Sequence, residues 1–205
     1  MTFRLGITGA IGAGKSTIAR LFADLGCDVW DADATVHKLY DTGGAAVAPV
    51  LALVPEARDG DDDSGRICRA RLRAAVLANP ALLKQLEAVV HPLLRLDRAA
   101  FMGNSLAPIA VFDIPLLFET GAETELDAVV FVRACAETRR ARVMGRATMS
   151  SAQLAHMSRR QLPEEQKAAR ADYIVVSDTP AHARAQVAKI VAIIKRERPD
   201  ARDCP

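Results

Sequence analysis

Short apolar runs alternate along the chain with stretches of helical periodicity. The runs predict five strands, at residues 3–8, 27–30, 108–112, 128–132 and 173–176. They are apolar throughout rather than at every second position, which is typical of strands buried on both faces of a sheet. Strands that alternate with helices favour a parallel sheet covered by helices on both sides. We therefore predict an α/β, three-layer fold with a five-stranded parallel sheet core.

Helical periodicity is clearest directly after the first strand and near the end of the chain. Residues 16–25 carry apolar side chains at helical spacing, and Gly26 is placed to end that helix. Thr179-Pro180 predicts the start of the last helix, because threonine caps a helix and proline suits its first position. Asn79-Pro80 opens another helix, which we expect to end before His91-Pro92.

The predicted strands are unevenly spaced. Long stretches of helical pattern separate the second strand from the third and the fourth from the fifth. We interpret these stretches as two inserts on a compact core. The predicted core comprises residues 1–33, 105–136 and 171–198, the inserts comprise 34–104 and 137–170, and 199–205 form a flexible tail.

Composition narrows the class of protein. The 205 residues include 27 basic and 25 acidic ones, so the net charge of +2 gives no large field of one sign. We therefore expect no nucleic-acid partner and no membrane association. The uncharged run 42–55 is too short to span a bilayer, and the N-terminus lacks a signal-peptide layout. The 4 cysteines show no C-x-x-C spacing, which fits a reducing, cytoplasmic setting.

The most informative motif follows the first strand. Residues 9–17, Gly-Ala-Ile-Gly-Ala-Gly-Lys-Ser-Thr, match the phosphate-binding loop (P-loop) pattern G-x-x-x-x-G-K-[ST]. Its glycines let successive backbone N–H groups converge on an anion, and the following helix adds its N-terminal dipole. Lys15 supplies a charge to the outer phosphates, and the Ser16 hydroxyl can ligate Mg²⁺. The residues predicted to bind ATP are Gly12, Ala13, Gly14, Lys15, Ser16 and Thr17.

Three classes of P-loop protein compete. A GTPase needs a base-reading N-K-x-D motif, but neither Asn79 nor Asn104 precedes a lysine. A motor or pump usually needs a longer chain. A small-molecule kinase remains the leading interpretation, with inserts that bind the acceptor and close over ATP. A kinase for a nucleoside, nucleotide or sugar acid, and a non-catalytic nucleotide-binding switch, stay open as alternatives.

Carboxylates follow two of the predicted strands. Asp31 and Asp33 end the second strand, where a spacing of two places both side chains on one face while the strand continues. One carboxylate can accept the proton of an acceptor hydroxyl and the other can hold Mg²⁺; alternatively, both cap the next helix. Asp113 ends the third strand, as a Walker-B carboxylate does, or is a turn residue before Pro115. Ser16, Asp31 and Asp113 are the predicted magnesium ligands.

The second insert is rich in basic residues. Arg142 and Arg146 lie four residues apart, on one face of a helix, and Arg159, Arg160 and Lys167 follow. As a lid, these side chains can neutralise phosphate charge when the site closes. A solvated helix face is the alternative for any single one of them. His91, in the first insert, either contacts a ligand or is a structural histidine.

A series of segments, which together span nearly the whole chain, resembles the dephospho-CoA kinase family and follows the order of that family's motifs. The P-loop is shared by many families, whereas Asp-Ala-Asp, His-Pro and Ile-Pro-Leu-Leu-Phe-Glu in this order are far more specific. The matching segments are 6–17, 25–26, 31–33, 65–72, 86–87, 91–92, 113–119, 142–146, Gln161 and 171–173.

The resemblance implies transfer of the γ-phosphoryl group of ATP to the ribose 3′-hydroxyl of dephospho-CoA, the final step of coenzyme A synthesis. It implies a nucleotide-kinase-like core, with 34–104 as a helical acceptor domain that binds CoA and 137–170 as a lid. By this resemblance, Asp33 occupies the position of the family's proton-accepting base, and Arg142 that of a lid arginine. Arg69 and His91 occupy positions that are expected to face the acceptor. We expect ATP and Mg²⁺ as cofactors and a monomer or weak homo-oligomer.

Three positions depart from the family pattern. His37 stands where the family often has arginine, Cys68 where an acidic residue is common, and Ser177 where an asparagine is expected. His37 matters most, because the charge of a histidine changes near neutral pH and that of an arginine does not. We keep His37 among the predicted acceptor-binding residues.

Overall fold

The structure is a computed structural model that describes residues 1–60, 65–145 and 161–197. The strands are β1 (Phe3–Gly9), β2 (Asp28–Asp31), β3 (Ile109–Asp113), β4 (Ala128–Arg133) and β5 (Tyr173–Val176). The helices are α1 (Lys15–Asp24), α2 (Ala32–Tyr40), α3 (Val47–Leu53), α4 (Arg69–Ala78), α5 (Ala81–Asn104), α6 (Ala136–Gly145), α7 (Glu164–Arg170) and α8 (Pro180–Glu197). Short 3₁₀ helices span Pro55–Ala57 and Ala122–Glu125.

The chain divides into two compact units. One consists of Met1–Asp31 and Ser105–Pro205, and the other of Ala32–Asn104. All five strands belong to the first unit, which we call the sheet unit, and the second, the helical unit, holds α2 to α5. The chain passes from one unit to the other at the carboxyl end of β2 and returns just before β3.

The sheet unit is built on a five-stranded sheet in the order β2-β3-β1-β4-β5, and every neighbouring pair is parallel. This confirms the predicted five-stranded parallel sheet. Alternate side chains of the strands, among them Leu5, Ile7 and Val111, pack with those of α1 and α8 in one apolar core. Residues in between, such as Phe112 and Phe131, are also buried, so the central strands have no solvent-facing side. Complete burial of one large apolar side chain in this core stabilises the fold by about 1.5–3 kcal/mol.

One long helix differs from its sequence-based prediction. The chain stays helical from Ala81 to Asn104, with Pro92 inside the helix, so the prediction of an end before His91-Pro92 is wrong. Proline removes one backbone hydrogen bond and costs a helix interior about 3 kcal/mol. Burial of Leu86 and Val90 in the core of the helical unit opposes that cost, and α5 packs on α2, α3 and α4.

None of the helices described in residues 1–60, 65–145 and 161–197 is long and apolar enough to cross a membrane. Part of the predicted lid, 137–170, lies outside these ranges, and so do Arg146, Arg159, Arg160 and the predicted tail.

Candidate active site

The P-loop connects β1 to α1 in the sheet unit. Gly12 and Gly14 have φ angles of 79° and 99°, in the left-handed region that favours glycine. The Ala13 N–H donates to the Ala10 carbonyl at 3.0 Å, and the Thr17 N–H donates to the Gly14 carbonyl at 3.0 Å, which fixes the entry into α1. The first turn of α1 carries no acidic residue, so the N-terminal dipole is not compensated there. The loop therefore offers N–H groups and positive potential to an anion.

The two glycines are also needed for close packing. A Cβ atom on Gly12 would lie 2.7 Å from the Arg139 carbonyl oxygen in α6, and one on Gly14 would lie 2.8 Å from the Ser177 Oγ atom. Both distances are shorter than real Cβ contacts. The P-loop is thus enclosed by α6 on one side and by the segment after β5 on another, and a side chain at either glycine would force these elements apart.

Lys15, the P-loop lysine, is half-buried, and its ammonium donates to the Gly9 carbonyl at 3.3 Å. The carbonyl belongs to the first residue of the same loop. The ammonium thus stays beside the loop rather than extending into solvent. Ser16 and Thr17 are exposed in the first turn of α1, where their hydroxyl groups are accessible.

Arg142 of α6 lies directly on the P-loop. Its Nη1 atom donates to the Ala13 carbonyl at 3.0 Å and to the Ser177 hydroxyl at 3.1 Å, and its Nη2 atom donates to the Ser177 carbonyl at 2.9 Å. Val143 is buried beside it, and Arg139 pairs with Glu164 of α7. The sequence placed Arg142 in a lid; the structure brings its guanidinium to the phosphate-binding backbone.

Two of the predicted magnesium ligands are neighbours in the sheet. Asp31 and Asp113 are register partners at the carboxyl ends of β2 and β3, the edge from which the P-loop leaves β1. Asp113 is buried at 4% exposure, and the loop after it is held by a 3.2 Å hydrogen bond from the Thr8 hydroxyl to the Pro115 carbonyl. Carboxyl ends of parallel strands are where ligands bind in such sheets.

The donor chemistry at this edge fits Mg²⁺. Asp31, Asp113 and Ser16 offer hard oxygen atoms, which Mg²⁺ prefers. Within the described ranges, no group of three or more His, Cys, Asp or Glu side chains forms a metal cage. Such a cage is not what Mg²⁺ requires in phosphoryl-transfer enzymes, because one or two carboxylates and the substrate phosphates complete its shell.

The predicted pair of aspartates is arranged differently from the expectation. β2 ends at Asp31 and α2 begins at Ala32, so Asp33 lies in the first turn of a helix. The prediction that both side chains share one face of a strand is therefore wrong. The chain is already helical at Ala32, so the strand does not reach Asp33. Asp33 is exposed near the N-terminus of α2.

The predicted acceptor-binding residues all lie in the helical unit. His37 follows Asp33 by one turn of α2, and Arg69 begins α4. The Arg69 guanidinium contacts both ring nitrogens of His37, so the structure brings these two together. His91 is exposed in the middle of α5. Burial raises the pKa of the nearby Tyr40 phenol, and the Arg69 charge opposes that shift.

Two residues with structural roles at the site were not predicted. Ser177 is 6% exposed and receives Arg142, although the sequence marked it only as a departure from the family pattern. Its position directly after β5, at the carboxyl end of a parallel strand, is the signal that could have found it. Lys167, predicted to belong to a phosphate-neutralising set, is 1% exposed and pairs with Glu119 at 2.7 Å instead.

Comparisons with known proteins agree with this geometry. The dephospho-CoA kinase family model matches residues 3–182. A dephospho-CoA kinase of Ruegeria pomeroyi is 52% identical over 95% of this chain and 97% of its own. A crystal structure from Thermus thermophilus aligns with a TM-score of 0.82 and 35% identity, over 94% of this chain and 97% of that one.

A dephospho-CoA kinase from Campylobacter jejuni aligns with a TM-score of 0.68 and 26% identity, over 97% of this chain and 100% of its own. The family model thus spans the P-loop, both aspartate positions, the helical unit and Arg142. A match of this length, with relatives of similar length throughout, leaves one assignment: the chain belongs to the dephospho-CoA kinase family.

Proposed function

We propose that this protein transfers the γ-phosphoryl group of ATP to the ribose 3′-hydroxyl of dephospho-CoA, giving coenzyme A and ADP. The observation that carries the proposal is the family match over residues 3–182, which includes a P-loop folded with left-handed Gly12 and Gly14. A kinase of this family uses ATP as phosphoryl donor, and the loop with α1 supplies the anion site that the donor needs.

In this proposal, the P-loop and the adjacent sheet edge bind the nucleotide. The N–H groups of residues 12–17 would surround the phosphates, and Lys15 would move its ammonium from the Gly9 carbonyl to the outer phosphates. Ser16, Asp31 and Asp113 would hold Mg²⁺, which would neutralise negative charge on the phosphates. The burial of Asp113 strengthens its electrostatic effect, because nearby water screens it less.

Asp33 is the proposed proton acceptor. In the reaction, the 3′-oxygen forms a bond to the γ-phosphorus, the bond from that phosphorus to the β,γ-bridging oxygen breaks, and ADP leaves. The proton of the 3′-hydroxyl passes to the Asp33 carboxylate. Two features support this role: Asp33 is exposed to an incoming substrate, and only Ala32 separates it from Asp31 at the sheet edge.

Arg69, His37 and His91 are the proposed acceptor-binding residues, in a helical acceptor domain of residues 34–104. The guanidinium of Arg69 suits the pyrophosphate of dephospho-CoA, because a planar fork binds phosphate oxygens in pairs. Its contact with His37 supports a common role for the two residues. Arg142 is proposed to neutralise nucleotide charge from the second insert, 137–170, which acts as the lid.

The cell location and assembly state follow from the same proposal. A kinase that consumes ATP and dephospho-CoA works where both are present, and we place it in the cytoplasm. We also propose a monomer or a weak homo-oligomer.

The test is an ADP-release assay with Mg-ATP and dephospho-CoA, in which coenzyme A is identified by mass. A panel of nucleosides, nucleotides and sugar acids is assayed in parallel, because kinases with the same core act on such acceptors. Of all the acceptors assayed, we expect only dephospho-CoA to be phosphorylated. Turnover of a panel compound without turnover of dephospho-CoA would overturn the proposal, and ATP binding with no phosphorylation of any acceptor would favour a nucleotide switch.

A further inference from the structure

Ser177 is held in a fixed position at the carboxyl end of β5. Its backbone N–H donates to the Arg133 carbonyl at 2.8 Å, which continues the pairing of β5 with β4 beyond the strand. The preceding residue, Val176, makes two hydrogen bonds with the Gln186 side chain of α8. The Val176 N–H donates to the Gln186 Oε1 atom at 2.9 Å, and the Gln186 Nε2 atom donates to the Val176 carbonyl at 3.0 Å. Ser177 therefore has little freedom of position.

The residues after Ser177 are equally well anchored. Thr179 caps α8, since its hydroxyl accepts from the His182 N–H at 3.2 Å. The Asp178 carboxylate accepts from the Thr179 N–H and pairs with the His182 ring, and this hydrogen bond lowers the pKa of Asp178. Ser177 itself is thus held by β4 and, through Val176, by Gln186 of α8, whereas the Thr179 cap fixes the start of α8.

Ser177 accepts most of the hydrogen bonds that hold the Arg142 side chain. Of the five N–H bonds of a guanidinium, three are directed to Ser177 and the P-loop: one to the Ser177 hydroxyl, one to the Ser177 carbonyl and one to the Ala13 carbonyl. Two N–H bonds of Arg142 remain for a ligand, as far as the described ranges show. A guanidinium held at both Nη atoms keeps its plane, so less entropy is lost when a nucleotide binds.

The same hydroxyl lies against the P-loop. The Ser177 Oγ atom is 2.8 Å from the position of a Cβ on Gly14, and the Arg142 Nη1 atom is 3.1 Å from it. The hydrogen-bonded pair of Ser177 and Arg142 therefore lies directly beside Gly14 and leaves no room for a side chain there. A larger side chain at residue 177 or a lost hydroxyl would shift the arginine relative to the phosphate-binding backbone.

We infer that Ser177 is a positioning residue for nucleotide binding, which acts by fixing the Arg142 guanidinium against the P-loop. The inference rests on the proposed function only in taking ATP as the ligand of this loop. It does not depend on which acceptor receives the phosphoryl group.

The experiment is a double-mutant cycle with Ser177→Ala, Arg142→Ala and the combined variant. The dissociation constant for Mg-ATP is measured by titration calorimetry in the absence of any acceptor. We expect Ser177→Ala to weaken ATP binding by about threefold to tenfold, because one of three supports of a charged group is lost. Arg142→Ala should weaken it by about tenfold to a hundredfold. Adding Ser177→Ala to Arg142→Ala should change binding by less than about twofold.

Thr179→Ala is the matched control. It also removes one hydroxyl, two residues away, and it destabilises α8 without touching Arg142. We expect a lower melting temperature for Thr179→Ala with unchanged ATP binding, and unchanged KM for dephospho-CoA in Ser177→Ala. Equal weakening by Ser177→Ala with and without Arg142, or ATP binding unaffected by Ser177→Ala, overturns the inference. Normal coupling without turnover of dephospho-CoA supports it and rejects only the proposed acceptor.

Discussion

Removal of one buried ammonium group should destabilise the sheet unit more than removal of any exposed one. Lys167 is 1% exposed, and its Nζ atom lies 2.7 Å from Oε1 of Glu119, which is 13% exposed. That oxygen accepts a hydrogen bond from the Leu162 N–H at 2.8 Å, whereas Oε2 is buried and has no hydrogen-bond partner among the described residues. In Lys167→Met, this carboxylate therefore loses its opposite charge and keeps, within the described ranges, the Leu162 N–H as its one donor.

The expected cost is about 3–5 kcal/mol of unfolding free energy, the usual range when one member of a buried pair is removed. For a chain of 205 residues, each kcal/mol lowers the melting temperature by about 2–4 °C, so a drop of roughly 6–20 °C is expected. Replacing Glu119 by Met as well removes the unpaired charge. The double variant should regain at least about half of the loss, because only the Leu162 N–H then lacks its partner.

The measurements are thermal unfolding by circular dichroism and urea unfolding of the same variants. Arg184→Met is the matched control, because Arg184 pairs with Asp24 at 2.9 Å but the two side chains are 58% and 47% exposed. Its expected cost is under about 1 kcal/mol. A Lys167→Met variant no less stable than Arg184→Met, or a double variant less stable than Lys167→Met, would refute the reasoning from burial.

Other substitutions test the site and its frame. Lys15→Ala should lower turnover by at least about 100-fold if the outer phosphates need its charge, and a loss under about tenfold in the ADP-release assay would contradict that role. Asp33→Asn should reduce kcat by about 10²- to 10⁴-fold with little change in the ATP dissociation constant, whereas a KM effect alone would rule out proton transfer. Gly12→Ala should abolish tight ATP binding, since its Cβ would meet the Arg139 carbonyl at 2.7 Å; calorimetry showing normal affinity would disprove this. Asp28→Ala should cost about 2–4 kcal/mol of stability, because the carboxylate accepts from the Ser105 hydroxyl and the next two backbone N–H groups, and urea unfolding measures it.

Local sequence signals were sufficient for the sheet and the P-loop. The strands were recognised because runs such as 109–113 are apolar throughout, and the structure buries every residue of that strand. Gly26 ends α1 with a φ of 82°, as its position in the pattern suggested. These features depend on neighbours along the chain, so a sequence pattern carries them.

Features that depend on distant neighbours were missed. Pro92 is a local signal for a helix end, but the packing of Leu86 and Val90 outweighs it. Lys167 looks like a solvent-facing lysine until Glu119, far away in the chain, is placed against it. The helical start at Ala32 altered the geometry of Asp33 in the same way, since a spacing of two predicts a shared face only while the strand continues.

The strand order has a consequence for the newly made chain. β1 is the central strand, yet its two partners, β3 and β4, are at residues 109–113 and 128–133. As the ribosome adds residues from the N-terminus, β1 emerges long before either partner strand exists, so its backbone N–H and C=O groups cannot yet pair in the sheet. The helical unit, 32–104, is complete before β3 is made and contains its own apolar core. Its early folding would shorten the effective loop between β1 and β3, which lowers the entropic cost of joining strands far apart in sequence.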